Sequence, residues 1–335
     1  GVNMPDAWTH ILASNEIIKG IESSRYRSIL EGYIKFYQCG SQGPDIFLYY
    51  CNLIPSKHNR VKKELGQRLH TDKTGDFIVY LIDKLKQLRY DEEYNMLLSY
   101  VLGYITHYAL DTSMHPFIYY FGGVYHADSP ETKKYDLYHK QLEKIIGIIQ
   151  LENKRGASAY HTTLYSEVNL GKNVPRIIDE VYSDSLYHVY NLEIKSYLIN
   201  YCYKDMKSGI KFLTEPNMIK NIIFAIGEAI IKKKNKARIF IYPRRIVDDL
   251  DYLNKEHKKW NHPCYLEEVT YRDAEQLYME GINKGINLIN TAVKYLEDEI
   301  DKEELIKTFP NLSYESGKLL DEYKKMLYFQ CIFEH

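Results

Sequence analysis

Residues 107–116 read HYALDTSMHP and set a histidine, an aspartate and a second histidine four apart: His107, Asp111 and His115. On a helix, residues i and i+4 sit one turn apart on the same face. Imidazole and carboxylate donors from successive turns can therefore meet a cation, and zinc suits that donor set. His139 and Glu143, in HKQLE, repeat the spacing. A single pair carries little weight. With 12 histidines and 45 acidic residues among 335, about 1.6 such pairs arise by chance. The triple H-x3-D-x3-H is rarer, with about 0.06 expected. The plain competitor is a helix surface carrying salt-bridged or carbonyl-bonded histidines. Pro116 disfavours helical geometry in the residue before it. The helix is therefore expected to stop here, freeing His115 to turn toward a neighbouring ion.

The elements that must hold these residues read as helices. HILASNEIIKGI (10–21), YNMLLSYVLGYITHYALD (94–111) and KYDLYHKQLEKIIGIIQ (134–150) carry apolar residues at three- and four-residue spacing. So do NMIKNIIFAIGEAIIKK (217–233) and residues 271–300. RIFIY (238–242) is the best of few strand candidates. The expectation is all-α, a multi-helix bundle in a single domain over 1–335. Its metal-bearing half would be about 5–150 and its supporting half about 175–335. GSQGPDIFLYY (40–50) reads as a Gly/Pro turn delivering Asp45. FGGVYHADSPETK (121–133) reads as a long loop, and residues 151–175 as irregular.

Composition narrows the function. With 44 Lys+Arg against 45 Asp+Glu and a net charge of -1, the chain lacks the basic field of a dedicated nucleic-acid binder. No stable nucleic-acid complex is expected. The longest apolar run, IIFAIG (222–227), falls far short of the roughly 20 residues of a membrane span. Five scattered cysteines (39, 51, 202, 264, 331) form no CxxC pair. They read as free thiols, and with no visible leader they favour a cytoplasmic location. Any metal must then rest on His, Asp and Glu. The 33 tyrosines read as core and interface packing.

Five blocks in order resemble the bacterial zinc-dependent phospholipase C family, whose helical fold is shared with single-strand-specific nucleases. They are DAWTHILASNEII, QGPDIFLYY, GQRLHTDKTGDF, LGYITHYALDTSMHP and YHKQLEKII, spanning about residues 5–150. A later block, EHKKWNHPCYLEEVTYRDAEQLY (256–278), looks like the carboxy-terminal part of uncharacterised members. The resemblance implies metal-ligand roles for His10, Asp45, His70, His107, Asp111, His115, His139 and Glu143. Asp45, His70, His107 and Asp111 would hold one zinc, and His115, His139 and Glu143 a second. Asp111 would bridge to a third, with His10 and the chain's own terminal amine and carbonyl. Secreted relatives start at a tryptophan, whereas Trp8 here is internal. For the third site three readings stand open: a free Pro5 amine after removal of a native Met4, a carboxylate from Asp6, or an empty or weak site.

The implied activity is hydrolysis of a phosphodiester by zinc-activated water, phospholipase C-like, at a two- or three-zinc site. Zinc brings the pKa of bound water toward about 7, and two ions about 3.5–4 Å apart can clamp an in-line displacement. Asp45 is the candidate catalytic residue, as ligand or as the group that orients the water. The alternatives are a nuclease or other phosphodiesterase on the same fold, and a non-enzymatic helical module with structural zinc. The partners implied are a phospholipid or other phosphodiester substrate and a transient membrane surface. Resemblance to secreted enzymes pulls against the cytoplasmic expectation. Other residues have plainer readings. His126 is expected in solvent, His58, His161, His188, His257 and His335 without a site, and Arg68 and Lys73 on an ordinary surface. IKKKNKAR (231–238) with Arg244 and Arg245 reads as a solvated helix end. Phe117, Tyr119, Tyr120 and Phe121 read as core.

Overall fold

The molecule is organised around α6 (Tyr94–Gly122), which carries apolar residues on every face and is buried along most of its length. A helix apolar all round must be surrounded by others. At 29 residues it is about 43 Å long. The computed structural model describes residues 2–3, 6–51, 57–156, 163–194, 197–213, 246, 250–322 and 324–334. Before α6 come α1 (Trp8–Ile17), α2 (Ser24–Gly32), α3 (Ile34–Gly40), α4 (Lys57–Thr71) and α5 (Thr74–Gln87). After it come α7 (Lys133–Arg155), α8 (Leu164–Val168), α9 (Arg176–Tyr190), α10 (Tyr197–Leu213), α11 (Ala274–Leu296) and α12 (Lys302–Thr308). The chain is all-α in character, with two small antiparallel pairs among the described residues. β1 (Val2–Asn3) lies against β2 (Tyr50–Cys51), and β3 (Trp260–His262) against β4 (Tyr265–Thr270).

α6 packs against α1, α3, α5, α7, α9 and α11. Its contact with α3 is backbone to backbone. A Cβ on Gly40 would lie 2.1 Å from the Tyr100 carbonyl oxygen, and one on Gly103 2.1 Å from that of Tyr37. Only facing glycines permit that approach, and it brings the C-terminal end of α3 down onto the middle of α6. α11 starts at a capping box, Asp273 with Gln276. One buried apolar cluster takes in Ala7 and Trp8 at one end and Phe309 and Tyr314 at the other.

The structure departs from the sequence reading in several places. α6 does not end at Pro116 but runs on to Gly122. Proline removes one helical donor, that toward Thr112 four residues back, and close packing on both sides holds the helix together past it. The loop after α6 is shorter than 121–133, since α6 reaches Gly122 and a 3₁₀ turn occupies Pro130–Thr132. The stretch 151–175 is partly helical, in the last turn of α7 and in α8. β3 and β4, unmarked by clear alternation, form a hairpin whose Trp260 packs on Phe117, Tyr120 and Phe121. RIFIY and the helix expected at 217–233 lie outside the described residues. Cys39, Cys202, Cys264 and Cys331 are free and buried. No helix among the described residues is long and apolar enough to cross a membrane.

Candidate metal centre

Five segments bring the eight candidate donors to one place. α1 carries His10, a 3₁₀ turn over Gly43–Phe47 carries Asp45, and the last turn of α4 carries His70. α6 presents His107, Asp111 and His115, still on one stripe, and α7 presents His139 and Glu143. Three donor groups result, each with its atoms within 4.8 Å of one another: Asp45, His70 and His107; His10, His107 and Asp111; His115, His139 and Glu143. Asp111 stands between them. Its Oδ2 is 3.0 Å from His107 Nε2 and 4.0 Å from His70 Nε2; its Oδ1 is 3.3 Å from His10 Nε2 and 3.6 Å from His115 Nε2. Asp45 Oδ1 is 3.3 Å from His70 Nε2, and Glu143 Oε1 is 3.2 Å from Nε2 of both His115 and His139.

Backbone carbonyls orient three of the rings. His70 Nδ1 is 2.6 Å from the Gly66 carbonyl, His107 Nδ1 3.0 Å from that of Ser41, and His115 Nδ1 3.0 Å from that of Tyr314. A carbonyl can only accept, so Nδ1 carries the proton and donates it. In the neutral ring this leaves the lone pair on Nε2, the atom that faces the carboxylates. His107 Nε2 is buried and makes no hydrogen bond among the described residues, although Asp111 Oδ2 is 3.0 Å away. Two acceptors so placed in the interior call for a cation between them. Donors on a tetrahedral zinc shell with bonds of about 2.0–2.1 Å lie about 3.3 Å apart. Most spacings here run from 3.0 to 3.6 Å, with His70 Nε2 to Asp111 Oδ2 the widest at 4.0 Å, so the residues fit zinc.

Electrostatics agree with that fit. Burial opposes the charge on Asp111, yet His107, His115 and His10 hold its carboxyl well below the usual range. Burial likewise opposes the charge on Glu143, and His139 and His115 overcome it in the same direction. Burial would discharge His115, but Asp111 and Glu143 outweigh it and push the ring up to about 10. His70 is also raised, with Asp45 and Asp111 prevailing over burial. His10 is instead lowered to about 4, by burial and by His107, against the pull of Asp111. Its ring stacks on His107 with centroids 4.1 Å apart. Without metal, the buried carboxylates gather protons around themselves.

Asp6 lines the same cavity as His10, Asp111, His115 and Glu143, but its Oδ2 accepts from the Thr9 amide and hydroxyl at the start of α1. It belongs to none of the three donor groups. Met4 and Pro5 lie outside the described residues. Tyr119 is partly exposed, its ring 4.4 Å from that of His139, while Phe117 is core. Arg68 pairs with Asp72, and Lys73 bonds the Val189 carbonyl. His126 is half-buried, and His188 and His257 are exposed. The side chains of His58, His161, Arg244, Arg245 and His335, and the run 231–238, lie outside the described residues. His262, which sequence reasoning passed over, is buried and bonded on both ring nitrogens, to the Ser316 carbonyl and the Cys264 amide. The carbonyls of Ser41, Gly66 and Tyr314 were also missed, because a carbonyl leaves no mark in residue types.

A family model described as zinc dependent phospholipase C matches residues 9–211. The chain belongs to this family. No curated protein and no solved structure gives a match. Zinc dependent phospholipases C are enzymes, and zinc is the metal that the family's name implies. All eight candidate donors of this phospholipase C family member, from His10 to Glu143, fall inside the matched span, whereas Tyr314 falls outside it.

Proposed function

We propose that the protein is a zinc-dependent phosphodiester hydrolase that acts on phospholipids as a phospholipase C. It would cleave the glycerol–phosphate bond and release diacylglycerol and a phosphorylated head group. The observation that carries this reading is the convergence of three carbonyl-tethered imidazoles on buried carboxylates at zinc-ligand spacing. Asp45, His70, His107 and Asp111 would hold one zinc, His115, His139 and Glu143 a second, and His10 with Asp111 a third. Bound there, zinc supplies Lewis acidity, making water acidic enough to ionise near neutral pH and offsetting charge on the phosphoryl oxygens. The Asp45 carboxylate, beside His70 on one oxygen, orients the attacking water and takes its proton. Leu110, Met114, Ile118 and Ile146 line the cavity on its apolar side. All four are buried, and they exclude water from that side of the centre.

The test is metal content by elemental mass spectrometry on protein purified without added zinc, beside Asp111→Ala. Head-group release from phospholipid vesicles and nucleotide release from single-stranded DNA are then measured on both. Two or three zinc ions per chain, mostly lost in the variant, with release from vesicles, support the proposal. Release from DNA alone would make it a nuclease. Zinc with neither activity would make the metal structural.

A further inference from the structure

Residues 309–318 lie far outside the family match yet run directly over the candidate centre. The Pro310 carbonyl accepts from the Tyr108 hydroxyl at 2.7 Å, and the Leu312 carbonyl from that of Thr74 at 2.7 Å. Asn311 Oδ1 accepts from the Gly75 and Asp76 amides at 2.9 and 3.1 Å, holding the start of α5. The segment then turns back on itself, with the Gly317 amide on the Ser313 carbonyl and the Ser313 amide on that of Lys318. Gly317 has φ +68, and a Cβ there would lie 2.2 Å from the Thr112 carbonyl oxygen. That carbonyl is the one left without a helical donor by Pro116. The strap thus seats against the helical irregularity that the proline creates.

At the middle of the strap is Tyr314, fully buried. Its amide donates to the His70 carbonyl at 3.0 Å, and its own carbonyl accepts from His115 Nδ1 at 3.0 Å. Its ring meets those of His70 and His107 with centroids 5.2 and 5.8 Å away. One residue therefore grips a member of each of two donor groups: His70, beside Asp45 and His107, and His115, beside His139 and Glu143. Resting on the zinc reading above, we propose that Tyr314 is a positioning residue that fixes His115 as a metal ligand and sets the spacing between the two zinc sites.

The two groups depend on the strap unequally. His70 and His107 have their Nδ1 anchors on Gly66 and Ser41, inside the family match. Among the described residues His115 Nδ1 has its anchor on Tyr314, 199 residues away. Loss of a partner that orients a ligating imidazole weakens metal binding about 10–100-fold. Displacing the strap should therefore weaken the one zinc equivalent that His115 serves and leave the rest as they were. A general packing role would weaken all of them or none.

The experiment uses the full chain and titrates zinc against a chelator of known affinity, for wild type and Gly317→Ala, Asn311→Ala and Tyr314→Phe. Melting of each metal-free protein by circular dichroism checks that it folds. Asn311→Ala is the milder displacement, in case Gly317→Ala does not fold. Tyr314→Phe keeps the ring and both backbone bonds, so it should bind zinc as wild type does. The displaced-strap variants should hold one equivalent about 10–100-fold more weakly and the rest at wild-type affinity. Cobalt substituted for zinc should then give a visible spectrum with one site's contribution missing at limiting cobalt. Unchanged affinity for every equivalent in folded variants, or equal weakening of all, overturns the inference while leaving the zinc reading intact. A wild-type chain that binds no zinc overturns the zinc reading itself.

Discussion

Gly43→Ala offers a direct trial of how tightly the centre is built. Gly43 has φ +50, and a Cβ there would lie 2.5 Å from His107 Cγ and 2.7 Å from Cδ2. The ring cannot swing aside easily, because it is fully buried and its Nδ1 is held by the Ser41 carbonyl. The left-handed backbone costs an alanine about 1–2 kcal/mol, and overpacking adds about 1–3 kcal/mol, so the total is about 2–5 kcal/mol. With an unfolding entropy of about 2.1 cal/mol/K per residue over a chain this long, Tm should fall by about 3–7 °C. The assay is calorimetry of the metal-free protein together with zinc per chain, which should also drop as His107 is displaced. Gly32→Ala is the control, since a Cβ there meets nothing within 4 Å and it closes a helix. It should be neutral or stabilising by up to about 1 kcal/mol. A Gly43→Ala protein with wild-type Tm and full zinc would refute the reasoning, as would a Gly32→Ala protein just as damaged.

Three other outcomes are expected. Asp45→Asn keeps shape and an oxygen donor, so zinc should stay while turnover falls about 10²–10⁴-fold; a near-normal rate with zinc bound removes Asp45 from its role. In the metal-free protein the raised His115 stabilises the fold fully below the ordinary histidine pKa, and this contribution is lost as pH rises toward about 10. Zinc must displace that proton, so loading at pH 7–8 should release acid into a weakly buffered indicator solution and tighten as pH rises; zinc uptake without proton release contradicts this. Asp273→Ala removes the acceptor for the Gln276 amide at the start of α11 and should cost about 1 kcal/mol in urea melts, with zinc content unchanged.

The helical class and the stripe on α6 were legible because periodicity is written in side chains. The turn that carries Asp45 was legible for a different reason, since QGPD has its own turn chemistry. Pro116 misled, because its local cost is real but smaller than the packing that surrounds α6. The hairpin at Trp260 was hidden because β4 is exposed along most of its length, so no alternation is written there, and the register is irregular between Asn261 and His262. Tyr314 was illegible for a different reason. It acts through its amide and carbonyl, which every residue but proline has, and its importance is set by where the chain returns.

The stripe His107, Asp111 and His115 also makes α6 a junction in the chain's wiring. Side chains from as far apart as positions 10 and 143 end there. Ions held at that junction would tie the segments together only while the chain is folded, since the donors are scattered along the unfolded polymer. Their contribution then scales with supply: at free zinc 1,000 times the dissociation constant it would be about 4 kcal/mol, comparable to a large part of a typical domain's whole stability. Durability would thus belong partly to the surroundings, and a zinc-poor milieu would leave the same sequence a shorter-lived protein.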